Sequence, residues 1–497
     1  MLDLFINHNK LKKWGLILLL GLITFAVYAN SLQGDFLIDD TVGILQNKEI
    51  HHAGVYFSEY FSLRPNSLVE AARVLIWHFW GANTFAFHLF NILIHLGCVI
   101  LIFLLCDALF SNRALSFLSS LIFAVHPIHT EAISWISGGP YALSSLFFIA
   151  SFLFFVKSGK SISNLVFSII CFSLCFLSGN AVAVLPLMFI CYEFCFRKKN
   201  EGSRFLYKLR IILLVLLSAI SLLFIGLFFV SKNEFMHLIF YFRGFGYLAV
   251  VFKAFIYYLK ILYLPLQRGL VHPFAFNVTN IQSFSPTFFL SLTIIAIAIV
   301  TFFKCRRNFK PISFGIIWFF VTYAPYSNII PVCNIISERY LYLPSLGFSI
   351  VLAALFLKGW ELIKRNQSSR YFLRAMAIVA ITLFIGSYSV LTIKRNYEYS
   401  NIITYWESNI NNFKDGHMVY NNLAGTYYLM GNIDNAIAYS WINLISDSNQ
   451  PHVWYNLGNV YQERGDIRQA KECFQEVLKI DKDYFPAYKA LEQLKIK

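Results

Sequence analysis

Uncharged apolar runs of the length a bilayer demands are what most limit how this chain can fold. The stretches 14–28, 142–156 and 287–303 approach or reach the roughly 20 residues, tolerated down to about 17, that a hydrocarbon core of about 30 Å requires. The chain is 58% hydrophobic and 13% charged, against roughly 45–50% and 25% in a soluble domain. One soluble core cannot absorb that excess, so the runs read as membrane spans.

The basic residues then write the topology. Starting from a cytoplasmic Lys10-Leu11-Lys12-Lys13, spans fall near 14–30, 84–106, 114–126, 139–157, 161–178, 181–196, 211–231, 286–304, 313–326, 342–359 and 374–393. Every loop this assigns to the cytoplasm is basic: Arg113, Lys157 with Lys160, Arg197-Lys198-Lys199 with Arg204, Lys208 and Arg210, then Lys304 to Lys310, and Lys364 to Arg374, as the positive-inside bias requires. The formal net charge of +15 is thereby accounted for, and no motif for nucleic acid accompanies it. The first run has a poor small-residue cleavage site after it at Tyr28-Ala29-Asn30, so it reads as a signal anchor. The stretch 244–266 carries Lys253 and Lys260, each costing at least about 2.5–3.5 kcal/mol in hydrocarbon. Counting it as a span would also invert every later loop. It is expected to be an interfacial helix with Tyr257, Tyr258 and Tyr263 at headgroup level. About eleven spans leave the C-terminus exoplasmic.

After residue 396 the long apolar runs stop and a repeat begins. Trp454, Leu457, Gly458, Tyr461 and Ala470 recur as Tyr420, Leu423, Ala424, Tyr427 and Ala436, offset by 34 residues, the tetratricopeptide period. Small residues let the two helices of a repeat approach while aromatics fill the space between repeats. The segments 405–410 and 486–491 are expected to be half-repeat caps. Such an array offers either a groove for an extended peptide or only a docking surface. The predicted division is 1–396 for the membrane domain and 397–497 for the repeats.

Of nine cysteines, six lie in or at the ends of apolar helices, and Cys305 falls in a basic loop. Only Cys333 and Cys473 remain for the outer side, which argues against a disulfide framework. The CxxxC spacings at Cys171/Cys175 and Cys191/Cys195 have no histidine beside them, so they read as packing residues rather than a metal site.

The loop 31–83 opens with Gly34-Asp35-Phe36-Leu37-Ile38-Asp39-Asp40. Paired carboxylates at a membrane surface repel each other and are desolvated, which raises one pKa and suits a general base. A solvated helix cap before Thr41-Val42 would use the same residues, and the local sequence leaves both open. His88, Asn91 and His95 share one helical face and are expected to make interhelical hydrogen bonds.

Taken together, Phe36-Leu37-Ile38-Asp39-Asp40, Arg64-Pro65, His88-Leu89-Phe90-Asn91 with His95, His126-Pro127-Ile128-His129-Thr130-Glu131-Ala132 with Trp135, and Glu338-Arg339-Tyr340-Leu341-Tyr342-Leu343-Pro344-Ser345 resemble the transmembrane and tetratricopeptide-repeat-containing (TMTC) protein O-mannosyltransferase family, its bacterial relatives included. The resemblance covers nearly the whole chain. It implies an all-α, GT-C-like membrane bundle followed by a tetratricopeptide solenoid, and an exoplasmic site. The implied reaction moves a sugar, mannose in the family, from a polyprenyl- or dolichyl-phosphate to Ser or Thr of a protein acceptor. Asp39 or Asp40 would be the base. Arg339 first and Arg64 second would hold the departing phosphate, because an arginine fork matches its geometry. His126, His129, Glu131, Glu338 and Tyr340 would line the substrate site. No metal and no cofactor are expected.

Two departures stand out. After Trp-Ile-Ser-Gly the family usually has an arginine and, two positions on, an acid; here these are Gly139 and Tyr141. A Ser-Lys-Glu at a later outer mouth is here Ser178-Gly179-Asn180. A catalytically impaired scaffold presenting its repeats to an exported partner is the alternative these departures raise. The Ile-, Phe- and Lys-rich usage suits a bacterial inner membrane with a periplasmic tail; an endoplasmic-reticulum protein with a luminal tail would read the same.

Overall fold

The computed structural model describes residues 13–159, 161–197, 204–230, 245–266, 286–329, 334–365, 370–410 and 416–496. Lys10, Lys12, Lys160, Lys198, Lys199 and Cys333 lie outside the described residues. No strand occurs among the described residues. Their contacts divide into two compact units, one ending at Tyr397 and the other beginning at Glu398.

The longer helices of the first unit are α1 Lys13–Tyr28, α2 Ser67–Trp80, α3 Thr84–Phe110, α4 Arg113–Val125, α5 Gly139–Lys157, α6 Ile162–Ser178, α7 Leu185–Cys195, α8 Arg204–Val230, α9 Phe245–Tyr263, α10 Pro286–Asn308, α11 Lys310–Tyr323, α12 Ser345–Arg365 and α13 Arg370–Glu398. Each expected span coincides with a helix over most of its described residues. Among the described residues six segments are long and apolar enough to cross a membrane, and three shorter apolar helices accompany them. This is an integral membrane protein by composition and helix length. The core is dense with aromatics: Phe152 and Phe155 pack on Phe189, with ring centroids 6.1 and 4.1 Å away. The Trp318 indole donates to the Leu343 carbonyl at 3.0 Å. α11 and α12 touch backbone to backbone, since a Cβ at Gly315 would lie 2.6 Å from the Gly347 carbonyl oxygen. Small residues buy this approach in membranes, where packing rather than hydrophobicity drives association.

The two ends of the bundle differ chemically. At one, Lys13 pairs with Asp107 at 3.3 Å, and Lys157 lies within electrostatic reach of both. Glu193 joins Arg197 at 3.1 Å and also Arg210. The Lys358 ammonium stands 4.6 Å over the Phe309 ring. Glu193 is thus the hub of a buried ionic cluster. The other end gathers the close of α1, the start of α3, the close of α4, the start of α5 and the close of α13: His88 meets the Gly34 carbonyl at 3.2 Å, and Thr392 donates to the Val125 carbonyl at 2.7 Å. Among the described residues, α1, α3 and α5 each run from one of these ends to the other.

α9 does not follow this pattern. Phe252 meets Phe288 at the start of α10, Phe255 meets Tyr323 at the end of α11, and Tyr263 meets Phe348 near the start of α12. These partners all sit at the non-basic end, so α9 runs across it rather than through the bundle. One detail of the expectation is corrected. Tyr258 is fully buried instead of at headgroup level, and its hydroxyl accepts from the Ser337 N–H at 3.0 Å. Tyr263 is exposed.

The second unit comprises α14 Ile402–Asn409, α15 His417–Leu429, α16 Ile433–Ser446, α17 Pro451–Arg464, α18 Ile467–Ile480 and α19 Phe485–Ile496. α15/α16 and α17/α18 form the two repeats, with α14 and α19 at the ends. Leu457, Ala470, Phe474 and Val477 are fully buried between them. A Cβ on Gly458 would come within 2.5 Å of the Phe474 ring. Gly458→Ala should therefore destabilise the tail by about 1–3 kcal/mol through overpacking. Limited proteolysis of the full chain should show faster cleavage within 451–484, with the bundle unaffected. The concave side holds a groove of about 930 Å³ lined by Asn421, Tyr428, Tyr455, Asn456, Asn459 and Glu463 among others.

Candidate functional site

Asp40 and its neighbour part company in the fold. The chain leaves α1 through a short turn and reaches a helical turn at Ile38–Asp40, where Asp39 is exposed and Asp40 fully buried. The Leu37 N–H donates to Asp40 Oδ2 at 2.9 Å, and the Ser137 hydroxyl donates to Oδ1. Arg73, on α2, approaches the Ser137 hydroxyl at 3.5 Å and acts electrostatically on Asp40. Burial pushes the Asp40 carboxyl up to about 6 from its ordinary 3.8, against the pull of those hydrogen bonds and of Arg73. Burial likewise lowers the pKa of Arg73, which Asp40 and Glu70 oppose. The result is a carboxylate poised near neutrality beside a half-buried cation.

Arg339 is linked to Asp40 indirectly, through the Trp135–Gly138 turn. Its backbone N–H donates to Glu131 Oε2 at 2.9 Å, its Nε lies 3.6 Å from Glu131 Oε1, and Ser337 donates to the same oxygen at 2.6 Å. The guanidinium stands 5.0 Å over Trp135, 5.3 Å from Tyr141 and 6.0 Å from Tyr340, distances at which a ring face attracts a cation. Tyr340 in turn stacks on Tyr326 at 4.9 Å. The Trp135–Gly138 turn is common to both groups: Trp135 faces Arg339 and Ser137 holds Asp40. Its shape depends on Asn91, whose amide donates to the carbonyls of Ile133, Trp135 and Ile136 at 3.3–3.4 Å. Gly139 follows at a point where a Cβ would lie 2.4 Å from Asn91 Oδ1, so any side chain there displaces that clasp. Tyr141, standing where an acid was expected, still contacts the arginine, now by its ring.

The remaining expected residues separate. Glu131 and Tyr340 belong with Arg339. Glu338 is buried in an ion pair with Arg395 at 2.7 Å. His126 does not line an open site: it is fully buried, Nε2 meets the Leu262 carbonyl at 3.0 Å and Nδ1 accepts the Ile128 N–H at 3.2 Å. His129, also buried, meets the Ser345 hydroxyl at 2.8 Å. His95 bridges the Tyr342 hydroxyl and the Ala124 carbonyl, an interhelical role. Arg64 lies exposed on the loop, 3.0 Å from Glu70, and is not among Asp40's neighbours. Arg73 was missed, although its position had a signal. It falls on the helical stripe of Val69 and Ile76, which are buried, and a charge on an apolar stripe must have a buried partner.

A polytopic helical membrane protein with a buried carboxylate and an aromatic-framed arginine at one end, and a tetratricopeptide tail, is the class these features define. Residues 451–484 match the tetratricopeptide repeat model. The chain is TMTC-like: it is 25% identical to human protein O-mannosyl-transferase TMTC3 over 92% of its own length and 54% of that protein's. Against the mouse TMTC3 protein it is 24% identical over 91% and 53%. Against human TMTC1 it is 33% identical over 26% of this chain and 17% of the relative. The chain thus spans about half the length of the TMTC3 proteins it matches. Among solved structures, the oligosaccharyltransferase of Archaeoglobus fulgidus in its apo form aligns with a TM-score of 0.47 and 13% identity, covering 84% of this chain and 59% of that one.

Proposed function

We propose that this chain is a GT-C-type membrane glycosyltransferase that moves a sugar, mannose by likeness to its relatives, from a polyprenyl- or dolichyl-phosphate carrier to a serine or threonine hydroxyl of a protein acceptor, without metal or cofactor. The observation that carries the reading is Asp40, a buried carboxylate already accepting a hydrogen bond from a serine hydroxyl. The acceptor hydroxyl would replace that of Ser137 and pass its proton to Asp40. Its oxygen would form a bond to the anomeric carbon as the carbon–oxygen bond to the phosphate breaks. The phosphate leaves with the bonding electron pair, and Arg339 stabilises its charge. A single displacement of this kind inverts the anomeric centre. The tail would share the site's exoplasmic side, periplasmic in a bacterium or luminal in the endoplasmic reticulum, and its groove would hold an extended acceptor segment.

Purified protein in lipid, given polyprenyl-phosphate sugars and acceptor peptides, tests this directly. Transfer should rise with pH through about 6, as Asp40 loses its proton, and level off above. No transfer across a broad donor panel beyond that of an Asp39→Asn/Asp40→Asn variant would exclude catalysis. The neutral Gly139 and Gly179-Asn180 support a second reading, a non-catalytic scaffold. In that case deletion of 400–497 should abolish every phenotype while the double variant stays silent.

A further inference from the structure

α13 buries little of itself: 11% of its most apolar stretch is covered by protein. Its C-terminal part, from Tyr388 onward, is the exception. Thr392 donates to the Val125 carbonyl at 2.7 Å, and the Asn30 amide donates to the Ile393 carbonyl at 2.9 Å. Arg395 pairs with Glu338 at 2.7 Å. The fully buried Asn396 donates to the Val27 carbonyl and to Asn30 Oδ1 at 2.9 and 2.8 Å, and its own oxygen accepts the Ser134 hydroxyl at 2.7 Å. A buried carboxamide with its donors and acceptor all engaged has one low-energy orientation, because leaving a polar atom unmet costs about 1–3 kcal/mol.

The partners of this segment are informative. Ser134 lies three residues before Ser137, which holds Asp40, and Glu338 directly precedes Arg339. Asn91 grips the 133–136 carbonyls from α3, and Asn396 grips Ser134 from α13. We propose that Arg395 and Asn396 are positioning residues, clamping the 134–137 turn and the 338–339 segment so that Asp40 and Arg339 keep a fixed spacing. The functional half of this rests on the reading of those two groups as base and phosphate holder; the clamp itself does not.

Hydrogen exchange on the full chain in lipid nanodiscs separates the two. In Asn396→Ala, amides 131–138 should exchange at least about tenfold faster, reporting local opening, while α3 and the repeats stay unchanged. Ser134→Ala, which deletes one bond of the clamp, should give the same local pattern more weakly. The pH midpoint of transfer should shift by about half a unit or more as Asp40's surroundings relax, a change that loss of stability alone would not produce. Unchanged exchange at 131–138 in both variants, or an increase spread evenly over the bundle in both, overturns the clamp. Local opening without any transfer by the wild type upholds the clamp and sinks the proposed function instead.

Discussion

Replacing Asp40 by asparagine is expected to lower sugar transfer by at least about a hundredfold, the usual loss when a general base is removed, whereas Asp39→Asn should stay within a few-fold of wild type. The asymmetry follows from burial: Asp39 is exposed, while Asp40 is shut in against Leu37, Ser137 and Arg73. The same substitution carries a second, opposite signature. Since the folded chain holds the Asp40 proton to about pH 6 and the unfolded chain only to near its ordinary 3.8, the native state binds more protons between those values. Stability therefore falls as pH rises through that window, and at neutral pH the ionised carboxylate costs the fold at most roughly 3 kcal/mol. Asp40→Asn should unfold at a higher temperature than wild type at pH 7 while losing transfer. A variant both inactive and less stable would point to a purely structural acid.

The second large effect is expected at Glu338. Its ion pair with Arg395 has both side chains at or below 5% exposure, and removing one partner of such a pair leaves an uncompensated charge costing about 3–5 kcal/mol. Glu338→Ala should lower the thermal unfolding midpoint in detergent by several degrees. The Arg64–Glu70 pair makes the control, since Arg64 is 59% exposed and exposed pairs are worth about 1 kcal/mol or less. Equal losses from Glu338→Ala and Arg64→Ala would show that burial of the first pair does not matter energetically.

The bundle was legible in the sequence because hydrocarbon imposes a one-dimensional rule: apolar length sets the helices and basic residues set their direction. Even α9 could be told from a span, because Lys253 and Lys260 make it too costly to bury. What stayed hidden is what tertiary contact decides. Asp39 and Asp40 are chemically identical neighbours, and only the turn that buries one distinguishes them. Glu338 and Arg395 are far apart in the chain, and no periodicity links them. His126 sits in a motif that suggests a substrate site, yet its two nitrogens are spent on backbone groups. Tyr258 was assigned by the general habit of tyrosines at interfaces, and the Ser337 N–H overrode it. Arg73 differs, for its helix stripe was readable and simply outweighed by the louder Arg64-Pro65.

The crossing of α9 over the bundle's end has a consequence for traffic. His126 and the Tyr388 hydroxyl both engage the Leu262 carbonyl, one of the acceptors a helix terminus leaves unmet, while Tyr258 is tied to Ser337, two residues from Arg339. The beam is bolted at its end and along its flank, so swinging it aside would drag the arginine with it. On the reaction proposed above, a lipid-carried donor would have to reach Arg339 past this beam where it lies, because moving the beam would disturb the arginine's own support.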